Sequence, residues 1–316
     1  METRETKSER VSDAIQVNGV QSGKPDGVLL LDKPVGLSSN AAVQAVRRYF
    51  GRAKAGHTGT LDPLASGLLP VCLGEATKFS HPLLDADKSY TASLCLGWRS
   101  TTGDAEGELR RGSAPDFGES ELREAVLALS GDIEQVPPMY SAIKVDGQPL
   151  YARARKGMHV ERAPRHVRVE RFEITQRTAG SLDISVSCSK GTYIRVLAED
   201  LGERLGCGAY LTALRRVAIG SIDIDQAVGF DALESASDAQ RLAMLRPIDL
   251  FLGSLPKVTL TMDDCMRLGH GLSIPGIGHG AEPLVRIYAG DGRFLGLGEI
   301  CEDGSLKSRR LVSTAF

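Results

Sequence analysis

The chain has 316 residues, of which 42% are hydrophobic and 25% charged, and its net charge is −2 at pH 7. This composition is ordinary for a globular protein, and the length suits one large domain with a smaller one attached. No segment approaches the roughly 18 uninterrupted apolar residues of a membrane span, and residues 1–25 are polar without the apolar centre of a secretion signal. We therefore expect a cytoplasmic protein with no membrane contact and a disordered tail over residues 1–25.

The cysteines and histidines do not follow the spacing of a metal site. There are six of each, the cysteines without a Cys-x-x-Cys pair, and the chain has no Walker loop or dinucleotide-binding glycine motif. We therefore predict no metal, no disulfide framework and no cofactor, and we expect the side chains to do the chemistry alone.

The first predicted elements are a short buried strand over 27–34 and a helix that begins at Ser38 or Ser39 and ends at Gly51. A loop from Gly56 to Gly67 follows, with the sequence GHTGTLDPLASG. Its glycines allow unusual backbone angles, and Pro63 biases Asp62 toward an extended conformation. A buried run comes directly after it. A carboxylate on a shaped loop above a core is a typical position for a catalytic group.

Further along, the periodicity predicts a helix over about 75–84, a half-buried strand over 88–98 and an amphipathic helix around 122–129. Residues 137–166 break the pattern. They contain four prolines, and between Lys144 and Arg171 eight basic residues face three acidic ones, which favours an exposed insertion that contacts phosphates.

Order returns with strands near 167–175 and 182–188 and a helix over 194–205. One more strand is predicted over 217–224, with a bulge at Gly220. Because strands and helices mix without regular βαβ alternation, we predict an α+β fold with a mixed, largely antiparallel sheet and flanking helices. Two Asp-Gly turns, at 291–292 and 303–304, indicate a small C-terminal β-barrel over 253–316, after a first domain over 26–250.

Several of these segments together resemble the TruB family of bacterial tRNA pseudouridine(55) synthases. The resemblance covers residues 27 to 316, and its most specific part is the Asp62 loop. It is carried, in order, by GVLLLDKPVGLSSN, GHTGTLDPLASGLLPVCLGEATKFS, DKSYTASLCLG, PPMYSAIKVDGQPLYARARKG and CSKGTYIRVLAEDLGERLGCGAYLTALRR. The resemblance implies an isomerase that converts uridine 55 in the T-loop of tRNA to pseudouridine, working as a monomer without metal or cofactor. It also implies that 137–166 closes over the T-arm and that the terminal barrel is a PUA-like module.

The same resemblance implies roles for individual residues. Asp62 would be the catalytic acid, as a nucleophile toward C1′ or as a base that removes the 2′ proton; Arg195 would pair with it, and Tyr193 would lie near the uracil C5. The substrate-binding positions that it implies are His57, Tyr90, Leu214, Lys33, Pro34 and Lys78. Arg153, Arg155 and Lys156 would contact the RNA backbone.

Three other functions are compatible with parts of the sequence. The first is an RNA-binding protein without chemistry, and members of the family are also thought to assist tRNA folding by binding. The second is the related guide-RNA-dependent pseudouridine synthase, which resembles this chain without the 137–166 insertion. The third is a nucleoside hydrolase or glycosidase, which needs a second carboxylate, for which Glu75 and Asp104 are candidates.

Overall fold

A computed structural model describes residues 25–316 except 142, 146, 155, 159, 279–281, 314 and 316. The predicted tail therefore lies outside the described residues, apart from Pro25. The chain divides into two compact units, Pro25–Gly253 and the residues from Ser254 onward.

The first unit is built on a sheet whose described part has nine strands. Seven of them pair in the order β1-β3-β12-β4-β11-β10-β7, while β2 pairs with β3 and β13 with β12. All these pairs are antiparallel except β3 with β12, so the prediction of an α+β fold with a largely antiparallel sheet is confirmed. The strands are β1 Gly27–Lys33, β2 Ala55–His57, β3 Ala65–Leu73, β4 Lys88–Leu96, β7 Gly131–Gln135, β10 Arg165–Arg177, β11 Ser181–Cys188, β12 Ala209–Ile219 and β13 Ile222–Asp223.

Two short hairpins lie outside this sheet. Their strands are β5 Trp98–Ser100 with β6 Leu109–Arg111, and β8 Lys144–Val145 with β9 Gln148–Pro149. The second hairpin and the short helix α4 belong to the segment between β7 and β10. Because Gln135 and Arg165 are paired partners at the ends of these strands, this segment leaves and re-enters the sheet at one place.

Helices cover the sheet of the first unit, and their apolar faces form its core. The helices are α1 Ser39–Tyr49, α2 His81–Asp85, α3 Glu119–Ala128, α4 Leu150–Ala154, α5 Ile194–Arg204, α6 Phe230–Ser235 and α7 Asp238–Ala243. Helix α1 begins where Ser38 accepts a hydrogen bond from the Ala41 N–H, and it buries Ala42, Val43 and Val46. Helices α3 and α5 contribute to a second cluster, which lies against β4, β10 and β11.

Two local predictions are wrong. The helix expected over 75–84 is a 3₁₀ turn, Gly74–Lys78, followed by the separate one-turn helix α2. Pro82 has no N–H to continue a helix through it, so it stands near the start of a new one. The strand expected over 217–224 is the end of β12 and all of β13. Gly220 lies in the tight turn between these two antiparallel strands and not in a bulge.

The described residues of the second unit form a four-stranded sheet with one helix. Strands β15 Leu284–Ala289, β16 Phe294–Ile300 and β17 Leu306–Leu311 are antiparallel neighbours, and β14 Lys257–Leu260 adds in parallel to β15. The two Asp-Gly turns connect β15 to β16 and β16 to β17, as predicted. Helix α8 Met262–Gly269 buries Cys265 and Leu268 against this sheet.

Among the described residues, no helix is both long enough and apolar enough to cross a membrane.

Candidate active site

The Asp62 loop, residues 58–64, connects β2 to β3; it is shorter than predicted, because Gly56 and His57 belong to β2 and residues 65–67 to β3. Hydrogen bonds fix its backbone on both sides of the acid. The Ser39 hydroxyl, at the start of α1, accepts from the Leu61 N–H at 2.7 Å and donates to the Leu61 carbonyl at 2.9 Å. On the other side, the Gly36 N–H donates to the Pro63 carbonyl at 2.8 Å, and the Ala65 N–H donates to the Asp62 carbonyl at 3.0 Å. These contacts hold the Asp62 backbone in place, while its side chain keeps 39% of its surface exposed.

The Arg195 guanidinium meets Asp62 from the first turn of α5. Its Nη2 lies 3.0 Å from Asp62 Oδ2, and its Nη1 lies 3.7 Å from Asp104 Oδ2. The remaining hydrogen bonds go to backbone carbonyls, from Nη1 to Thr102 at 2.9 Å and from Nη2 to Tyr140 at 2.7 Å. Arg195 is 4% exposed, so its guanidinium is buried beside Asp62 and not in solvent. A guanidinium with three close acceptors and a second carboxylate 3.7 Å away is held in one orientation.

Asp104 is a buried carboxylate behind Arg195. Its Oδ1 accepts from the Thr102 hydroxyl at 2.5 Å and from the Glu106 N–H at 3.1 Å, while Oδ2 faces Arg195. Both carboxyl oxygens are therefore engaged with protein groups, and Asp104 is 2% exposed. This position suits a residue that orients Arg195 better than one that reaches a substrate.

The charges around Asp62 oppose the effect of its burial. Burial raises the pKa of Asp62 and the nearby Asp104 carboxylate raises it further, whereas Arg195 and Lys33 lower it. The Lys33 side chain is fully buried, and its Nζ donates to the carbonyls of Pro34 at 2.8 Å and Leu37 at 2.7 Å. Burial lowers the pKa of Lys33 to about 8, against the opposing effect of Asp62. Pro34 itself is exposed and contributes its carbonyl.

Tyr193 stands immediately before α5, two residues from Arg195. The Gln135 side chain fixes its backbone in both directions, because Oε1 accepts from the Tyr193 N–H at 2.9 Å and Nε2 donates to the Tyr193 carbonyl at 3.3 Å. Burial raises the pKa of the Tyr193 phenol, and both Arg195 and Asp62 are close enough to influence it. The structure therefore brings Tyr193, Arg195 and Asp62 into one site.

Tyr90 and Leu214 lie on the two central strands, β4 and β12. Both are partly buried between the two main core clusters of the first unit. Leu214 aligns with Ala65, three residues after Asp62, and with Ala92 on β4. Burial raises the pKa of Tyr90, and the positive charge of the nearby Arg216 guanidinium opposes this rise. The Asp62 carboxylate is also close enough to raise the pKa of Tyr90.

His57 ends β2, directly before the loop. Burial lowers the pKa of its imidazole, and the positive charge of Arg216 lowers it further. Its Nδ1 is buried and has no hydrogen-bond partner among the described residues.

The structure gives no contact with Asp62 for the other predicted site residues that it describes, Lys78, Arg153 and Lys156. Lys78 follows the opposite end of β3 and pairs with Glu75 at 2.8 Å. Arg153 lies in α4 and is partly buried, Lys156 is exposed, and Arg155 lies outside the described residues. In the part of the chain that is described, no group of three or more His, Cys, Asp or Glu residues has a geometry that could hold a metal ion.

Sequence reasoning did not identify Gln135, Ser39 or Arg216 as parts of the site. Gln135 and Ser39 act through backbone hydrogen bonds, which residue type alone does not reveal. Arg216 lies within a segment that was quoted for the family resemblance, but it stands beside a second arginine on a strand that the periodicity did not predict. Alternation along that strand could have separated the two arginines.

Comparison with known proteins shows the family of the chain. Residues 47–194 match the N-terminal domain of the TruB family pseudouridylate synthases, residues 195–252 a tRNA pseudouridylate synthase B C-terminal domain, and residues 256–312 the C-terminal domain of pseudouridine synthase II TruB. The tRNA pseudouridine synthase B of Aromatoleum aromaticum is 54% identical over 92% of this chain and 93% of that protein. The enzyme of the same name from Methylobacillus flagellatus is 50% identical over 92% of this chain and 96% of that protein.

Among solved structures, a chain of a Cbf5–Nop10–Gar1 complex is similar, with a TM-score of 0.66 and 26% identity over 91% of this chain and 85% of that one. The sequence identity to the Aromatoleum aromaticum enzyme is thus about twice the identity to the chain of the Cbf5–Nop10–Gar1 complex. The chain belongs to the TruB family of pseudouridylate synthases, and it is an isomerase that converts uridine to pseudouridine.

Proposed function

We propose that the chain isomerises uridine 55 in the T-loop of tRNA, with Asp62 as the catalytic residue. The observation that carries this proposal is the pair of the Asp62 carboxylate and the Arg195 guanidinium, 3.0 Å apart, with Tyr90, Tyr193 and Lys33 around them. A single acid is sufficient because the reaction involves neither redox change nor transfer to a second molecule.

The reaction requires that the N1–C1′ bond breaks, that the base rotates and that C5 bonds to C1′. In one route an Asp62 oxygen attacks C1′ as the N1–C1′ bond breaks and the uracil leaves as an anion, and C5 of the rotated base then displaces the Asp62 oxygen from C1′. In the other route Asp62 removes the 2′ proton as the N1–C1′ bond breaks, and it returns this proton when C5 bonds to C1′. Both end with loss of the C5 proton and protonation of N1, and Tyr193 is our candidate for the group beside C5. The base must leave its stack to reach the site, and the Tyr90 ring offers it a stacking surface.

Arg195 orients the Asp62 carboxylate and favours its ionised form. Asp104 and the carbonyls of Thr102 and Tyr140 hold the guanidinium for this purpose. Lys33 contributes a second positive charge, which also favours negative charge on the departing base. His57 and Leu214 would line the nucleotide pocket, while Pro34 supports the turn that contacts the loop at Pro63.

The wider assignments are also part of this proposal. The catalytic domain would comprise 26–250, the insertion 137–166 would bind phosphates of the T-arm through Arg153, Arg155 and Lys156, and a PUA-like domain over 253–316 would support tRNA binding. Lys78 would contact RNA at the other end of β3. The six unpaired cysteines suit a reducing compartment, so we place the enzyme, as a monomer, in the cytoplasm.

Two alternatives are less well supported. A glycosidase needs a second carboxylate that faces the bond to be broken, but Glu75 pairs with Lys78 and Asp104 is buried with both oxygens engaged. A guide-dependent enzyme is disfavoured because identity to the tRNA pseudouridine synthases B is 50–54%, compared with 26% to the Cbf5 complex chain.

The test uses a T-arm stem-loop that carries tritium at C5 of uridine 55, without any guide RNA. We expect wild type to release tritium to water without free uracil and Asp62→Asn to release none while still binding the RNA. Asp116→Asn changes an exposed acid by the same atoms and serves as the control. Free uracil would indicate a glycosidase, and binding without tritium release by wild type would contradict the proposal.

A further inference from the structure

A row of aligned residues crosses the sheet beside the Asp62 loop. Lys33 on β1 pairs with Gly67 on β3, Gly67 with Arg216 on β12, and Arg216 with Tyr90 on β4. Three of the four carry functional groups, and two of these are cations. Arg216 stands in the middle of this row, between the strand that follows the loop and the strand that bears Tyr90.

The Arg216 side chain reaches three separate parts of the site. Its Nε donates to the Leu68 carbonyl on β3 at 2.8 Å, and its Nη2 donates to the Gly59 carbonyl within the Asp62 loop at 3.1 Å. Arg216 is also the cross-strand partner of Tyr90, and its positive charge lowers the pKa of the Tyr90 phenol. The loop, the strand after it and the tyrosine are therefore connected through one side chain.

This guanidinium is buried without an acid. Arg216 is 1% exposed, and it forms no ion pair with any carboxylate in the described part of the chain. Removing a charge from water costs several kcal/mol unless other groups compensate, so an apolar residue would pack here at lower cost. Groups of this kind are retained preferentially at functional sites.

The neighbouring strand leaves room for Arg216 through a glycine. A Cβ atom on Gly67 would lie 2.2 Å from the Arg216 carbonyl oxygen, and Gly67 has φ +100°, which other residues rarely adopt. The close approach of β3 and β12 at this point thus depends on Gly67, and it places Arg216 directly beneath the loop. The arrangement is built by both strands and not by a single flexible side chain.

We propose that Arg216 is a positioning residue for the isomerisation: it lies beside the Tyr90 phenol and holds the Gly59 carbonyl, and so fixes the stacking ring relative to the Asp62 loop. Arg216 does not touch the substrate. It determines where the everted uracil lies relative to the carboxylate, and this inference rests on the function proposed above.

The experiment is a double-mutant cycle with Arg216→Met, Tyr90→Phe and the double variant, using tritium release from the T-arm stem-loop. A misplacement of about 1 Å costs about 100-fold in rate, so we expect kcat of Arg216→Met to fall by about that factor while KM changes less than about threefold. In the Tyr90→Phe background the effect of Arg216→Met should be much smaller, because the phenol beside Arg216 is already lost. Arg216→Lys keeps the charge but not the fork of donors, and it should recover only part of the rate.

The adjacent residue provides a matched control. Arg215→Met removes the same charge one position away, where the guanidinium binds Asp32 through two hydrogen bonds of 2.9 and 2.8 Å. We expect its kcat to match wild type. Thermal unfolding of each variant separates loss of fold from loss of position.

The outcomes are distinct from those that test the function itself. If wild type releases tritium but Arg216→Met retains full kcat, or if the two substitutions act additively, the positioning role is wrong and the proposed function stands. If Arg216→Met does not fold, Tyr90→Phe alone decides: a normal kcat overturns the inference, and a reduced kcat with unchanged KM supports it.

Discussion

Lys33 is the residue whose protonation state should be visible in the rate. Its ammonium is fully buried, and burial lowers its pKa to about 8, so the positive charge is present below that pH and is lost above it. Loss of this charge removes one of the two cations that favour the ionised form of Asp62. The charge on Lys33 is therefore coupled to the chemistry and not only to the fold.

We predict that kcat declines above about pH 8 in wild type and that Lys33→Arg moves this decline beyond pH 9, because a guanidinium stays protonated. The measurement is the pH dependence of tritium release at saturating RNA. Lys78→Arg, an identical substitution at a residue that pairs with Glu75, should leave the profile unchanged. A decline that persists at pH 8 in Lys33→Arg would show that another group causes it.

For single residues, the sequence predicts which side chains belong to the site better than it predicts which groups they contact. Asp62, Arg195 and Tyr193 were identified together because a family resemblance connects them, although 133 positions separate Asp62 from Arg195. Periodicity alone would have left Arg195 as an exposed helix residue. The role of Gln135 was not predicted, since a clamp on another residue's backbone depends on tertiary packing.

Helix α5 carries a partly buried carboxyl group, Glu199, on its second turn. Glu199 lies near Arg195 and Asp104, and burial raises its pKa to about 7, which Arg195 only partly offsets. The unfolded chain would ionise this carboxyl near its ordinary value of 4.5. Between these two pH values the folded state binds the extra proton, so Glu199 reduces the stability progressively as the pH rises from about 4.5 to about 7.

We expect Glu199→Gln to stabilise the protein by about 1–2 kcal/mol above pH 7, a figure reduced for the partial exposure of the side chain. The gain should shrink steadily toward pH 5, and denaturant unfolding at several pH values would measure it. The matched control is Glu203→Gln, one turn further along α5. Glu203 is exposed and pairs with Arg99, so this substitution should not stabilise the protein. A gain that does not depend on pH would mean that the ionisation of Glu199 is not its source.

Elements with clear periodicity were predicted well, and those without it were not. Helices α1, α3 and α5 and strands β4 and β11 were located within a few residues. The missed part of β12 contains Thr212, Arg215 and Arg216, whose polar side chains obscure the alternation of a central strand. The helix expected over 75–84 failed for a different reason, because apolar spacing does not register the interruption at Pro82.

At the scale of the whole molecule, charge is distributed more unevenly than the net value of −2 indicates. No Asp or Glu occurs between Lys33 and Leu61, whereas this stretch contains Lys33, Arg47, Arg48, Arg52 and Lys54. Arg47 is used internally, since it donates to the carbonyls of Arg52 and Ala53. Arg48, Arg52 and Lys54 are exposed and form no ion pair within the described residues. From the sequence, only the basic residues between Lys144 and Arg171 were predicted to contact phosphates.

These three cations should bind RNA phosphates at the end of α1, beyond the active-site pocket. We predict that Arg48→Gln, Arg52→Gln and Lys54→Gln together reduce the slope of log affinity against log salt by about 2, at 0.7–0.9 for each phosphate contact. The rate at saturating RNA should not change. Arg123→Gln on α3, which packs near the other end of the sheet, is the control. An unchanged slope in the triple variant would remove this surface from the RNA interface.

The pairing of β7 with β10 at Gln135 and Arg165 bears on how the segment between these strands can change in evolution. Because β7 and β10 pair with each other where the intervening segment begins and ends, that segment can be lengthened, shortened or exchanged without disturbing the sheet. Tyr140, however, lies five residues after Gln135, and its carbonyl accepts a hydrogen bond from the Arg195 guanidinium beside Asp62. A graft at this junction that alters the first few residues would therefore disturb the contact between Arg195 and Asp62, so we expect an exchanged insertion to keep Tyr140 and the residues next to it.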